Sequence, residues 1–114
     1  MPFPTLALFS FVILVEISPL TVSADLFLDK NLEAAVRRQL LTKRNSKEPL
    51  TIQDVLQVSE VKAKGKGITN LKGLEACKAL ASLELPDNAI ENLSPLSGLE
   101  RLQLLDLAGN RVND

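Results

Sequence analysis

Two stretches of the chain, LASLELPDNAI (80–90) and LQLLDLAGNRV (102–112), share one pattern of apolar residues and asparagine. Each patterned position of the first stretch recurs 22 residues later in the second. The equivalent pairs are Leu80 and Leu102, Leu83 and Leu105, Leu85 and Leu107, Asn88 and Asn110, and Ile90 and Val112. The register extends upstream, where Leu71, Leu74 and Cys77 correspond to Leu93, Leu96 and Leu99. A fixed period of about this length indicates repeats that stack as a solenoid.

The spacing LxxLxLxxN predicts one short strand in each repeat. Successive side chains of a strand point to opposite faces, so Leu83 and Leu85 are expected to enter the core while the residue between them faces outward. Leu105 and Leu107 have the same expected role in the next repeat. The strands of successive repeats would then pair side by side as a parallel sheet.

The asparagines are expected to end each strand at a turn. A carboxamide has both a donor and an acceptor for backbone groups inside a bend, so Asn88 and Asn110 predict a structural asparagine ladder. Gly109 suits the same bend. Gly73 and Pro95 occupy equivalent positions further along the repeat, which favours an irregular or 3₁₀ segment on the convex side instead of a long helix.

A helical period precedes the repeats, in DKNLEAAVRRQLL (29–41). Asp29 is placed to cap the start of a helix, and Glu33 and Arg37 are expected to form an i,i+4 ion pair on its solvent face. The residues of the helix that share the apolar stripe are Leu32, Ala35, Val36 and Leu40.

A second, shorter helix is predicted from the spacing of Thr51 and Asp54, which is that of a capping box. Its Ile52, Val55 and Leu56 are expected to point inward. This helix runs into a degraded first repeat in which Lys66 stands at the asparagine position. The first unit of a stacked array has no upstream neighbour to cover its apolar flank, so the two helices are expected to cover it.

The chain begins with LALFSFVILV (6–15), a short apolar run followed by TVSAD (21–25). The run is about half of the roughly 20 residues needed to span a bilayer, and Val22 and Ala24 are small residues at the positions a signal peptidase prefers. We therefore expect a secretory signal peptide cleaved between Ala24 and Asp25. An uncleaved anchor is the alternative. Export would make the protein secreted, periplasmic or cell-surface, with no stable membrane span after cleavage.

Composition excludes several classes of function. The chain has 114 residues and a formal charge of −1, with no histidine, tryptophan or tyrosine and one cysteine. Histidine is the commonest general base and a frequent metal ligand, and aromatic rings are the usual stacking platforms for single-stranded nucleic acid. We therefore expect neither an enzyme nor a cofactor, a metal site or a nucleic-acid partner.

The run GITNLKGLEACKALASLELPDNAIENLSPLSGLERLQLLDLAGNRVND (67–114) resembles the leucine-rich repeat, in the 22-residue type found in bacterial internalin-like surface proteins. The helical segment DKNLEAAVRRQL (29–40) is similar to the caps that precede such repeats. The resemblance implies an α/β leucine-rich-repeat solenoid with short parallel strands on a concave face, 3₁₀ or irregular convex segments and a helical N-terminal cap. It divides the chain into a signal peptide (1–24), a helical cap (25–57) and repeats (58–114), of which one is degraded, two are full and a third is truncated.

Three features permit sharper readings. Cys77 could be a reactive thiol, but it stands at a leucine position, which favours a buried small hydrophobic residue. Asn92 begins an N-glycosylation motif, although the following Pro95 disfavours modification. Glu84 and Asp106 have the spacing of a catalytic acid pair, but without a nucleophile or histidine an exposed surface is the better interpretation.

The outward positions of the strands define the expected binding surface. Leucine-rich repeat proteins generally bind macromolecules through the concave face, so the resemblance implies a secreted or surface-exposed protein-binding module. Its candidate partner-binding residues are Glu60, Lys62, Lys64, Ser82, Glu84, Leu104 and Asp106, with Pro86 and Ala108 beside them. The alternative is a non-catalytic spacer or sensor segment of a larger anchored or enzymatic protein. The repeat pattern breaks off four residues after Asn110, so a fragment of a longer protein is expected. The last strand, around Leu105 and Leu107, is then expected to have an unpaired edge and an apolar flank that stays wet.

Overall fold

The computed structural model describes residues 26–112, and the predicted signal peptide and cleavage site lie outside that range. Two α-helices come first, α1 (Lys30–Arg37) and α2 (Ile52–Val55). Three strands follow, β1 (Glu60–Lys62), β2 (Ser82–Glu84) and β3 (Leu104–Asp106). Each of the two connections between strands contains a 3₁₀ helix, and these are η1 (Leu74–Ala76) and η2 (Ser94–Leu96).

The strands form one parallel sheet in the order β1, β2, β3. Val61 pairs with Leu83, and Leu83 pairs with Leu105, so paired residues are 22 positions apart on both sides of β2. The sequence period is therefore the spacing between neighbouring strands, and the predicted parallel pairing is confirmed.

The hydrophobic core lies between the sheet and the 3₁₀ side of the molecule. The side chains of Leu83 and Leu85 are fully buried, as predicted. Leu105 does not enter the core as Leu83 does, because it is 46% exposed, and Leu107 is only partly buried. This agrees with the wet apolar flank expected for the last strand. β3 has a strand on one side only within residues 26–112, and its apolar side chain therefore lacks the neighbour that β3 provides for Leu83.

Helix α1 forms where the sequence predicts it. The Asp29 side chain caps it by accepting from the backbone N–H groups of Asn31 and Leu32, and its apolar stripe packs against the core next to β1. Arg37 and Glu33 form the expected ion pair at 2.8 Å, but their side chains are only 14% and 16% exposed. The pair is half-buried, not on a solvent face, because the following loop folds back and Arg37 also donates to the carbonyl of Ser46.

Helix α2 is a single turn. The predicted capping box is present: the Thr51 hydroxyl accepts from the Asp54 backbone, and the Asp54 carboxylate accepts from the Thr51 backbone. Val55 is fully buried, but Ile52 and Leu56 are 46% and 41% exposed, so the expectation that all three point inward is wrong. Ile52 is the first residue of the turn and Leu56 is its C-cap, so only Val55 of the three reaches the core.

The turn before η1 is closed against the N-terminal segment. Gly73 has a left-handed φ of 112°, and a Cβ added there would lie 2.6 Å from the carbonyl oxygen of Leu26 and would contact the ring of Phe27. Phe27 is 1% exposed, so its ring fills the space that a side chain at position 73 would need. Glycine at this position lets residues 26 and 27 pack onto the first repeat.

A search for membrane-spanning helices over residues 26–112 finds none with the required length and hydropathy.

Candidate functional site

Six side chains project from the sheet on the side away from the core, and we call them the strand face. They are Glu60, Lys62, Ser82, Glu84, Leu104 and Asp106. On β1 and β2 the central residues, Val61 and Leu83, are fully buried while the residues on either side are accessible. Strand register therefore brings the predicted partner-binding residues together on one surface.

Lys62 is the electrostatic centre of the strand face. Its Nζ lies 2.9 Å from Oε2 of Glu60 and 3.9 Å from Oε2 of Glu84. The hydrogen bond with Glu60, and then the charges of Glu60 and Glu84, raise the pKa of the Lys62 amine. The Ser82 hydroxyl lies 3.3 Å from the same oxygen of Glu84, to which it donates. These groups are exposed, so they affect the choice of partner more than they affect stability.

Lys64 lies just beyond β1. Its side chain is 75% exposed, and its amine lies 3.8 Å from the carboxylate of Asp87. Leu104, at the other end of the strand face, is 47% exposed and contributes an apolar side chain beside the charges. The face therefore changes from a lysine–glutamate ion pair at β1 to aspartate and leucine at β3.

Asn88 ties its own turn to the previous repeat. Its Oδ1 accepts from the backbone N–H groups of Lys66 and Ile68 at 2.9 and 3.1 Å. Its Nδ2 donates to the carbonyls of Ala63 and Leu85 at 2.8 and 3.0 Å. The side chain is 8% exposed, so these bonds satisfy backbone groups that water does not reach.

Asn110 makes the equivalent contacts one repeat later. Its Oδ1 accepts from the Ile90 N–H at 3.0 Å, and its Nδ2 donates to the carbonyls of Leu85 and Leu107 at 2.8 and 2.9 Å. The Leu85 carbonyl accepts from both asparagines, so the two carboxamides are linked through one backbone group.

Left-handed backbone recurs immediately before the asparagine position of each repeat. Gly65, Asp87 and Gly109 have φ angles of 62°, 58° and 73° and are spaced by 22 residues. Sequence reasoning identified only Gly109. The sequence does indicate this conformation at all three positions, since each is glycine or aspartate, which are among the residues that adopt it most readily.

Asp29 has a second role that its helix-cap pattern did not reveal. While one carboxylate oxygen caps α1, the other accepts from the backbone N–H groups of Thr69 and Asn70 at 2.7 and 3.1 Å. Partial burial alone would raise the pKa of Asp29, but the donors from Thr69, Asn70, Asn31 and Leu32 outweigh it, and the pKa is lowered. One ionised side chain thus joins α1 to the first repeat.

Cys77 and Asn92, the other two residues with a possible chemical role, lie in environments that favour a structural role. Cys77 is fully buried, and burial, followed by the charge of Glu75, raises the pKa of its thiol to about 12, which keeps it protonated and unreactive. Asn92 uses its side-chain oxygen to accept from the Ser94 N–H at 2.9 Å in a local turn. Within residues 26–112 no group of histidine, cysteine, aspartate and glutamate side chains is arranged to hold a metal ion.

Three known proteins show what the chain is similar to. Leucine-rich repeat-containing protein 56 of Rattus norvegicus is 48% identical over 48 residues, which is 42% of this chain and 9% of the rat protein. An internalin (inlF) of Listeria monocytogenes has a TM-score of 0.69 at 28% identity, covering 78% of this chain and 26% of the internalin. Internalin C2 of the same organism has a TM-score of 0.70 at 30% identity, and the match covers 78% of this chain and 39% of internalin C2. No family model matches.

Parallel strands at a 22-residue spacing, leucines that face one core and asparagines at the turns define a leucine-rich repeat protein. The structural neighbours refine that class, and the chain is an internalin-like leucine-rich repeat protein. It spans only a small part of the length of the curated relatives that it matches.

Proposed function

We propose that this chain is a secreted or cell-surface protein-binding module whose strand face is the concave, partner-binding side of a solenoid. In this proposal residues 1–24 direct export, residues 25–57 form a helical cap and residues 58–114 form the repeats. Leucine-rich repeat proteins generally mediate protein–protein interaction, and the similarity to internalins supports the same class of function here.

One observation carries the proposal. Three strands in a single register expose their outward side chains on one surface, while the inward side of β1 and β2 is closed by the core. A surface that combines ion-paired lysine, carboxylates and an exposed leucine suits a protein partner, because charges steer and orient it while apolar area stabilises the complex.

Site-specific photo-cross-linking tests the proposal. Ser82 on the strand face and Ser97 in the exposed turn after η2 offer a pair matched in residue type. Each is replaced in turn by a photoreactive phenylalanine analogue, and the purified protein is irradiated with the surface proteins of its source cells. We expect a discrete covalent adduct from position 82 and none from position 97.

A double charge reversal, Glu84→Lys with Asp106→Lys, provides a second readout. Both residues are accessible, so the free energy of unfolding should change by no more than about 1 kcal/mol, whereas the adduct from position 82 should be lost. Adducts that form equally at positions 82 and 97 would contradict the proposed face. The absence of any adduct would support the alternative, a spacer segment.

A further inference from the structure

A basic groove lies beside the strand face, between the end of α1 and the backbone that leaves β1. Its volume is about 320 Å³. The residues that line it are Arg38, Lys62, Ala63, Lys64, Lys66, Glu84 and Pro86. Four of these side chains are cations and one is a carboxylate, so the groove has an excess of positive charge in a chain whose formal net charge is −1.

The four cations are not equally compensated. Lys62 pairs with Glu60 at 2.9 Å and lies 3.9 Å from Glu84, and Lys64 lies 3.8 Å from Asp87. The Arg38 and Lys66 side chains make no ion pair or side-chain hydrogen bond with any residue in the range 26–112. The groove therefore presents two cations available to an incoming anion.

The backbone that carries the lysines is held in place. The N–H of Ala63 donates to the carbonyl of Glu84 at 2.9 Å, and the N–H of Gly65 donates to the carbonyl of Pro86 at 3.0 Å. The N–H of Lys66 donates to Oδ1 of Asn88 at 2.9 Å. These bonds extend the pairing of β1 with β2 past the end of the strand, so binding would order side chains without also having to order the loop.

Lysines alternate along one side of the groove. Lys62 is the last residue of β1, and Lys64 and Lys66 follow where the chain bends. A peptide with closely spaced carboxylates could therefore meet more than one cation at a time. Arg38, at the end of α1, adds a planar guanidinium that can bind a carboxylate through two parallel hydrogen bonds.

We propose that this basic groove binds an acidic, extended segment of a protein partner, with carboxylates paired to Arg38 and Lys66. The inference rests on the proposed function and names the chemistry of its partner. A peptide fits better than a nucleic acid because the chain has no tryptophan or tyrosine on which bases could stack.

Fluorescence anisotropy with a labelled peptide of alternating glutamate and serine tests the groove. The test variant is Arg38→Glu with Lys66→Glu, and the control is Arg101→Glu with Lys78→Glu, in the turns before β3 and β2. The two variants change the same residue types and the net charge equally. At an ionic strength of about 0.01 M, where charges act over about 30 Å, we expect the test variant to bind the peptide about tenfold more weakly than the control.

A peptide with glutamine in place of glutamate should not bind, and the affinity should fall as the ionic strength rises to about 0.15 M. If the charge-reversed variant fails to fold, judged by its thermal midpoint, Arg38→Gln with Lys66→Gln replaces it and should show a smaller loss in the same direction. Equal affinities of the test and control variants would overturn the proposal, because net charge alone would then explain binding.

Two further outcomes would also overturn it. A single-stranded oligonucleotide of the same charge that binds as tightly as the peptide, with the same response to the variants, would make the groove a general polyanion site. Failure of the peptide to bind at all would exclude the groove as an acidic-peptide site. In that case an adduct from position 82 would show that the strand face still binds a protein, and absence of the adduct would show that the proposed function has failed as well.

Discussion

Leu83 and Leu105 occupy the same position of neighbouring strands, yet Leu83 is fully buried and Leu105 is 46% exposed. Each follows the same leucine spacing and lies on the same side of the sheet. The difference is that β2 has a strand on both sides, whereas β3 has one on a single side within residues 26–112. In this fold a residue's burial is therefore set by the neighbouring repeats as much as by its own repeat.

The asparagines extend the same comparison to polar groups. Asn88 and Asn110 each reach back to a carbonyl 25 residues earlier, and both also bond carbonyls of their own turn. An asparagine in this position therefore serves the preceding repeat as well as its own. The first repeat can have Lys66 at the equivalent position, because no strand precedes β1 in the described chain and no earlier carbonyl requires a donor there.

The largest difference between the two repeats should come from the paired leucines. Leu83→Ala should lower the free energy of unfolding by about 2–5 kcal/mol, because a cavity opens in the closed core. Leu105→Ala should cost only about 1 kcal/mol, because roughly half of that side chain already contacts water. Chemical denaturation of both variants measures the comparison. Equal losses would show that β3 is covered in solution as fully as β2.

A smaller difference should separate the asparagines. Asn88→Ala leaves the backbone groups of Ala63, Lys66 and Ile68 without a partner in a nearly dry site, and should cost about 2–3 kcal/mol. Asn110→Ala should cost about 1 kcal/mol, because its surroundings are more accessible and water can replace the carboxamide. Hydrogen exchange at the Ile68 amide gives a local readout, since protection there should fall in the first variant and stay unchanged in the second. Protection that is kept in both would mean that Asn88 does not hold the earlier turn.

The leucine spacing was sufficient to predict the strands, because a period of 22 leaves one consistent way to bury Leu80, Leu83 and Leu85 together. Asp29 and Thr51 were recognisable as helix caps from their immediate neighbours in sequence. The exposure of Leu105 follows the wet flank expected at the edge of the last repeat. The exposure of Ile52 and Leu56 was not predictable, because their spacing places them on one helix face with Val55 but does not say how far the core covers that face.

The candidate site was also predictable only in part. Alternation along each strand was enough to assign the outward side chains, including Glu84 and Asp106. The closer contact of Lys62 with Glu60 than with Glu84 depends on side-chain conformation, which a repeat pattern does not encode. Arg38 and Lys66 are 28 residues apart in sequence and line one groove only because α1 packs beside β1.

The smallest expected effect concerns Asp29, which joins α1 to the first repeat through hydrogen bonds. Asp29→Asn keeps one oxygen acceptor but replaces the other oxygen with a donor, which would face the N–H groups of either α1 or residues 69 and 70. We expect a loss of about 1 kcal/mol at neutral pH, because one of the two pairs of N–H donors loses its oxygen acceptor. Glu100→Gln, at an exposed carboxylate without a side-chain hydrogen bond within residues 26–112, is the matched control and should have no effect.

The pH dependence of that loss distinguishes the ionised bridge from a simple packing contact. The pKa of Asp29 is lower in the folded protein than the ordinary value of 3.8, so the unfolded chain takes up the proton first as pH falls. The stabilisation from the carboxylate is therefore fully present above the unfolded pKa and is lost as pH falls through the folded pKa. The difference in unfolding free energy between the parent and Asp29→Asn should shrink from about pH 5 downward, since a protonated Asp29 can no longer accept from both groups of N–H donors with a full negative charge.

Urea denaturation of both proteins at a series of pH values measures this difference in unfolding free energy. A difference that stays constant down to the acid limit of folding would show that the carboxylate acts through its shape alone, and the electrostatic link between helix and repeat would have to be abandoned.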